Sequence, residues 1–182
     1  MLLYIHGFRS VGLCYKGSLI REFSKDSLTP NLPYAPKLAI KLLEEIILKN
    51  LEQSCKISLV GSSLGGYYAI YLAHKFNLKA VLVNPAVYAY RNLSLAIGKV
   101  NVPYSGESFL WTQDLVEDLK ELEIKNLKSE LFMVLLQKGD EVLDYKEAAL
   151  KFKDSKLLIY EGGSHRFENF EAQKENILQW CS

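Results

Sequence analysis

Five short apolar runs, at residues 2–5, 57–60, 80–83, 131–136 and 157–160, are each closed by glycine or polar residues. None alternates cleanly between apolar and polar positions, as expected of strands covered on both faces in a parallel sheet. Between the runs the period changes. Ala39, Leu42, Leu43, Ile46, Ile47 and Leu51 recur at spacings of three and four, while Lys37, Lys41, Glu44, Glu45, Lys49 and Glu52 take the other side. That pattern predicts an amphipathic helix lying on the sheet. Residues 64–76 are apolar nearly all round and predict a centrally buried helix, with Asn77 as its left-handed stop. Asp144 reads as an N-cap with Glu147 as capping-box partner, opening a helix through Ala148, Ala149 and Phe152. A last helix is expected from about 170 to 180, where Phe170, Ile177, Leu178 and Cys181 share a face.

Alternating strands and helices imply right-handed crossovers, and so an α/β fold with three layers around a doubly wound, mainly parallel sheet. Ligands of such sheets bind beyond the carboxyl ends of the strands. The length of 182 residues fits one domain spanning 1–182. Residues 84–112 have weak periodicity, carry Tyr88, Tyr90, Tyr104, Phe109 and Trp111, and are long for a plain connection. A small cap over the site and an irregular crossover both fit them.

Charge and composition narrow the function classes. Lys plus Arg number 22 against 21 Asp plus Glu, so the long-range field that a nucleic-acid or anionic-membrane binder needs is missing. No apolar run is long enough for a membrane span, and the five residues before His6 are too few for a signal segment. A cytoplasmic location is expected. Cys14, Cys55 and Cys181 form no C-x-x-C pair, and the three histidines lack metal-ligand spacing, which argues against disulfide scaffolding and bound metal.

Chemistry concentrates after the strands. Gly61-Ser62-Ser63-Leu64-Gly65 is a G-x-S-x-G between a predicted strand and a predicted helix, the context of a nucleophile elbow. Side chains two before and two after the nucleophile would strike neighbouring backbone, a need that Gly61 and Gly65 meet. Ser63 is then the candidate nucleophile; the plainer reading is a glycine turn that closes a strand or binds phosphate. A serine hydroxyl needs a base, and an imidazole serves best when a carboxylate fixes its tautomer. His165, in Glu161-Gly162-Gly163-Ser164-His165 after the last strand, is the natural base. His74 lies far down a helix and reads as a surface residue, and His6 reads as a residue that orders its loop by hydrogen bonding. For the acid, Asp140 follows the fourth apolar run; Glu141, Asp144 and Glu161 stay open as alternatives. The order Ser63, Asp140, His165 is that of an α/β-hydrolase catalytic triad. The backbone N–H groups of Leu64 and Phe8 are the candidate oxyanion donors, with Arg9 behind Phe8. Tyr67 and Tyr104 are candidate substrate contacts, drawn from a set including Phe8, Tyr88 and Trp111 whose spacings fit core packing as well.

These residues resemble the small bacterial YqiA/YcfP-type esterases of the α/β-hydrolase superfamily, nearly end to end. The likeness runs through Leu3-Tyr4-Ile5-His6-Gly7-Phe8, Val60-Gly61-Ser62-Ser63-Leu64-Gly65-Gly66-Tyr67-Tyr68-Ala69 and Val83-Asn84-Pro85-Ala86-Val87. It continues in Pro103-Tyr104-Ser105-Gly106-Glu107, Gly139-Asp140-Glu141-Val142-Leu143-Asp144-Tyr145 and Glu161-Gly162-Gly163-Ser164-His165-Arg166-Phe167. His6 is a departure, since some relatives have glutamine there. The resemblance implies a lidless or nearly lidless serine hydrolase with no cofactor, acting on a small acyl ester or thioester. An acyltransferase and a non-catalytic binding module on the same scaffold are the rival readings.

Overall fold

Along the core strands, successive side chains enter opposite layers. Leu3, Ile5, Leu59, Ala80, Leu82, Phe132, Val134 and Leu136 pack into one hydrophobic cluster, and Leu2, Tyr4, Val60, Val81, Val83, Met133 and Leu135 into another. Both faces are apolar, so the sequence shows runs rather than alternation. The computed structural model describes residues 1–103 and 105–182. Its main sheet joins β1 (Leu2–Ile5), β2 (Ser58–Ser62), β3 (Ala80–Val83), β6 (Phe132–Gln137) and β7 (Lys156–Tyr160) in the order β1-β2-β3-β6-β7, all parallel. Helices α2 (Pro36–Glu52), α3 (Leu64–Phe76), α5 (Gln113–Glu121) and α6 (Tyr145–Lys151) contribute to the first cluster, and α1 (Tyr15–Phe23) and α7 (Lys174–Cys181) to the second. The three-layer, doubly wound α/β architecture is thus as the patterning requires. No helix among the described residues is long and apolar enough to cross a membrane.

Several boundaries move for physical reasons. β2 runs on through Gly61 and Ser62, because backbone pairing with Leu82 and Val83 continues where apolar side chains stop. Asn77 takes the expected left-handed conformation, with φ 56° and ψ 48°. The Asp144 side chain caps α6 by accepting from the Lys146 amide at 3.0 Å, whereas the Glu147 carboxylate turns to Arg91 at 2.5 Å. The capping box is therefore replaced by an ion pair. The last helix begins later than expected, since Phe170–Gln173 forms a 3₁₀ turn before α7.

The excursion after β3 comprises a short helix, α4 (Ala89–Leu93), and an antiparallel hairpin of β4 (Gly98–Asn101) and β5 (Ser108–Trp111), separate from the main sheet. Trp111 anchors it: the ring is fully buried, and Nε1 donates to the Leu93 carbonyl at 3.0 Å. Phe8, in the loop after β1, meets Trp111 and Phe109 edge to face with centroids 5.0 and 5.8 Å apart. Arg9 Nε also donates to the Asn101 carbonyl at 2.9 Å.

Candidate active site

The carboxyl ends of β2, β6 and β7 bring three distant segments together. Ser63 sits between β2 and α3 with φ 56° and ψ −121°. A non-glycine residue there costs about 1–3 kcal/mol and persists only where its surroundings over-determine it. Gly61 and Gly65 are part of those surroundings: a Cβ on Gly65 would lie 2.0 Å from the Ile5 carbonyl oxygen, and one on Gly61 would lie 2.3 Å from the Gly65 oxygen. The tight crossing of strand and helix thus excludes any side chain at both positions, as the motif anticipates.

After β7, Gly162 and Gly163 turn the chain with φ values of 63° and 77° and deliver His165 to the sheet edge. His165 Nε2 lies 3.0 Å from Ser63 Oγ, and Nδ1 lies 2.9 and 3.0 Å from the two carboxylate oxygens of Asp140. Asp140 Oδ1 also accepts from the amides of Val142 and Leu143, each at 2.9 Å, and the side chain is 2% exposed. With Nδ1–H donating to Asp140, Nε2 is left to accept the Ser63 hydroxyl. An alcohol, an imidazole and a carboxylate thereby form one hydrogen-bonded row, able to move the serine proton onto nitrogen.

The three other carboxylates weighed from the sequence have different partners. Glu141 Oε2 accepts from the His165 backbone amide at 2.9 Å, and this bond holds its carboxyl below the usual range. Asp144 caps α6, and Glu161 pairs with Lys138. His74 remains on α3 and is no part of the row. His6 fulfils its expected loop role: Nδ1 bonds the Gly7 carbonyl at 2.9 Å, and Nε2 accepts from the Leu32 amide at 3.1 Å. This pairing places the proton on Nδ1, and burial pushes the pKa of His6 down.

A cavity of about 670 Å³ opens in front of Ser63 and His165, lined by Phe8 on one side. Leu64 is the first residue of α3, so its amide lies at the helix N-terminus. Among the described residues neither the Phe8 nor the Leu64 amide has a hydrogen-bond acceptor. Tyr67 departs from expectation. It is 2% exposed, packs in the core, and spends its hydroxyl on the Leu119 carbonyl at 2.9 Å beneath α5, so it does not line the cavity. Burial pushes that phenol above its ordinary range. Tyr104 lies outside the described residues. Tyr88 carries Arg91 and Lys151 over its ring rather than facing Ser63.

Two residues that the sequence reasoning passed over hold the His165 loop. Asn84 Nδ2 donates to the carbonyls of Ser164 and His165 at 3.0 and 3.4 Å, while its Oδ1 accepts from the Gln137 amide. Gln137 Oε1 accepts from the amides of Ser164 and Glu168, and Nε2 donates to the Glu168 carbonyl. Both side chains are buried. The available signal was a polar residue closing an apolar strand at its carboxyl end. Asn84→Ala frees the loop without touching the row, so kcat for any turnover that runs through Ser63 should fall about 10–100-fold while KM changes little. Equal losses in the folded fraction and in kcat, with the activity per folded molecule intact, would assign Asn84 a structural role only.

The parallel sheet with its serine turn defines an α/β-hydrolase fold. Est1E from Butyrivibrio proteoclasticus shares it at a TM-score of 0.72 and 15% identity, covering 98% of this chain and 87% of Est1E. The monoacylglycerol lipase of Paleococcus ferrophilus superposes at a TM-score of 0.71 and 16% identity, covering 99% of this chain and 93% of the lipase. Within that fold, the chain belongs to the uncharacterised protein family UPF0227, whose profile matches residues 1–182. A UPF0227 protein from Citrobacter koseri is 23% identical over 190 residues, covering 97% of this chain and 96% of the relative.

Proposed function

We propose that this protein is a serine hydrolase that cleaves carboxylic esters, or acyl thioesters, through an acyl-enzyme. The observation that carries the reading is the continuous row from Ser63 Oγ through His165 to Asp140, at a serine held in a strained backbone conformation. Ser63 Oγ attacks the acyl carbonyl carbon as its proton passes to His165 Nε2. The resulting oxyanion is held by the amides of Phe8 and Leu64. Collapse breaks the bond to the leaving oxygen or sulfur, which takes the proton from His165 and departs. Water then attacks the acyl-serine, gives a proton to His165, and releases the acid as Ser63 recovers its hydrogen. Asp140 keeps the imidazole in the required tautomer throughout. The monoacylglycerol lipase that shares the fold supports this chemistry by analogy.

On this reading the chain is one catalytic domain, and residues 84–112 are a small cap. Its hairpin packs Phe109 and Trp111 against Phe8 and so braces the loop of one oxyanion donor. The test is turnover of short-chain p-nitrophenyl esters. An initial burst approaching one equivalent of p-nitrophenol per chain is expected wherever deacylation is the slower step. Absence of hydrolysis across a panel of esters and thioesters would overturn the proposal.

A further inference from the structure

The cavity before Ser63 is lined also by the N-terminal end of α1 and by the chain following His165. Three cations line it: Arg9, Lys16 and Arg166. Among the described residues none of them forms an ion pair. Lys16 Nζ donates to a neutral group, the Arg166 carbonyl at 2.7 Å, and Arg9 Nε donates to the Asn101 carbonyl. Two acids share the wall, Glu168 and Glu171, and Glu171 is engaged by the Tyr15 hydroxyl at 2.6 Å. Lys16 is half-buried; desolvation pushes its pKa down, Cys14 and Asp140 draw it back up, and Arg166 adds to the fall. A half-buried ammonium whose hydrogen bond goes to a neutral carbonyl, at the wall of an open cavity, is a site that a bound oxyanion would complete.

The direction of the reaction fixes which part of a substrate reaches these groups. His165 must hand its proton to the leaving atom, so the leaving group lies on the side of His165 and its neighbour Arg166. A second recess, of about 350 Å³ and lined by Phe8, Arg9, Leu93, Ala96, Val100 and Asn101, lies beside the hairpin and includes neither His165 nor Arg166.

Building on the ester-hydrolase reading, we propose that the leaving alcohol or thiol of the substrate carries an anionic group, a carboxylate or a phosphate, bound by Lys16 with Arg166 beside it. Lys16 is then a specificity-determining residue. The experiment compares three butyrate esters differing only at the para position of the phenol: 4-carbamoylphenyl, neutral, and 4-carboxyphenyl and 4-phosphonophenyl, anionic. Rates are taken relative to alkaline hydrolysis to remove leaving-group electronics. The wild type should favour at least one anionic ester over the neutral one in kcat/KM by about tenfold or more, and the better of the two identifies the oxyanion. In Lys16→Met that ratio should collapse towards one, while Lys16→Arg should keep it. Hydrolysis of the neutral ester with no anionic preference, or a preference that survives in Lys16→Met, overturns the subsite and leaves the hydrolase reading standing. Hydrolysis of none of the three contradicts the hydrolase reading itself.

Discussion

Ser63→Ala should lower kcat for ester hydrolysis by about 10⁵–10⁶-fold, with KM changed far less, because the variant can form no acyl-enzyme. Ser63 is half-buried at the cavity, so the alanine protein should keep its fold, and its unfolding free energy should stay within about 1 kcal/mol of wild type. His165→Ala should lose a comparable amount. The double variant should lose little more, since nucleophile and base act as one unit. A Ser63→Ala protein that retained a tenth of the activity would move the reaction to another group, and Ser62, buried in β2 beside it, would be examined first.

The second large effect is at the acid. Asp140→Asn should cost about 10⁴-fold in kcat. In the native site Oδ1 accepts from the Val142 and Leu143 amides, so an asparagine would keep its carbonyl oxygen there and present its NH₂ to His165. Nδ1 would become an acceptor, the proton would move to Nε2, and the ring could no longer take the Ser63 proton. The loss is thus one of tautomer more than of shape. Glu141→Gln supplies the contrast: its contact is with the His165 backbone, which an amide oxygen can still satisfy, so activity should stay within about tenfold of wild type. The reverse ranking of these two variants would assign the acid to Glu141.

What the sequence revealed followed from how local each signal is. The parallel strands showed as apolar runs because both faces are buried, and the Ser63 turn showed because its glycines answer to backbone contacts within five residues and the adjoining strand. The chain order of serine, acid and histidine then placed Asp140 and His165 at strand ends. The hairpin of β4 and β5 was not legible, since its short strands bury only Val100 and Trp111 and leave the intervening positions exposed or half-buried. Helix α1 was missed for a similar reason: it buries only Gly17 and Ile20, and no side chain caps it. Tyr67 misled because a tyrosine four residues after the nucleophile can face either cavity or core. Helix rotation and an acceptor 52 residues away at Leu119 decided for the core. Asn84 and Gln137 work through main-chain partners, as many as 81 and 31 residues distant, which no spacing rule reaches.

The most direct measurement is the position of a covalent adduct after brief exposure of the native protein to a fluorophosphonate, read by mass spectrometry of its peptides. A single modification on Ser63 is expected, formed rapidly in wild type and far more slowly in Asp140→Asn. Failure to modify the protein, or modification at another residue with Ser63 untouched, would contradict it.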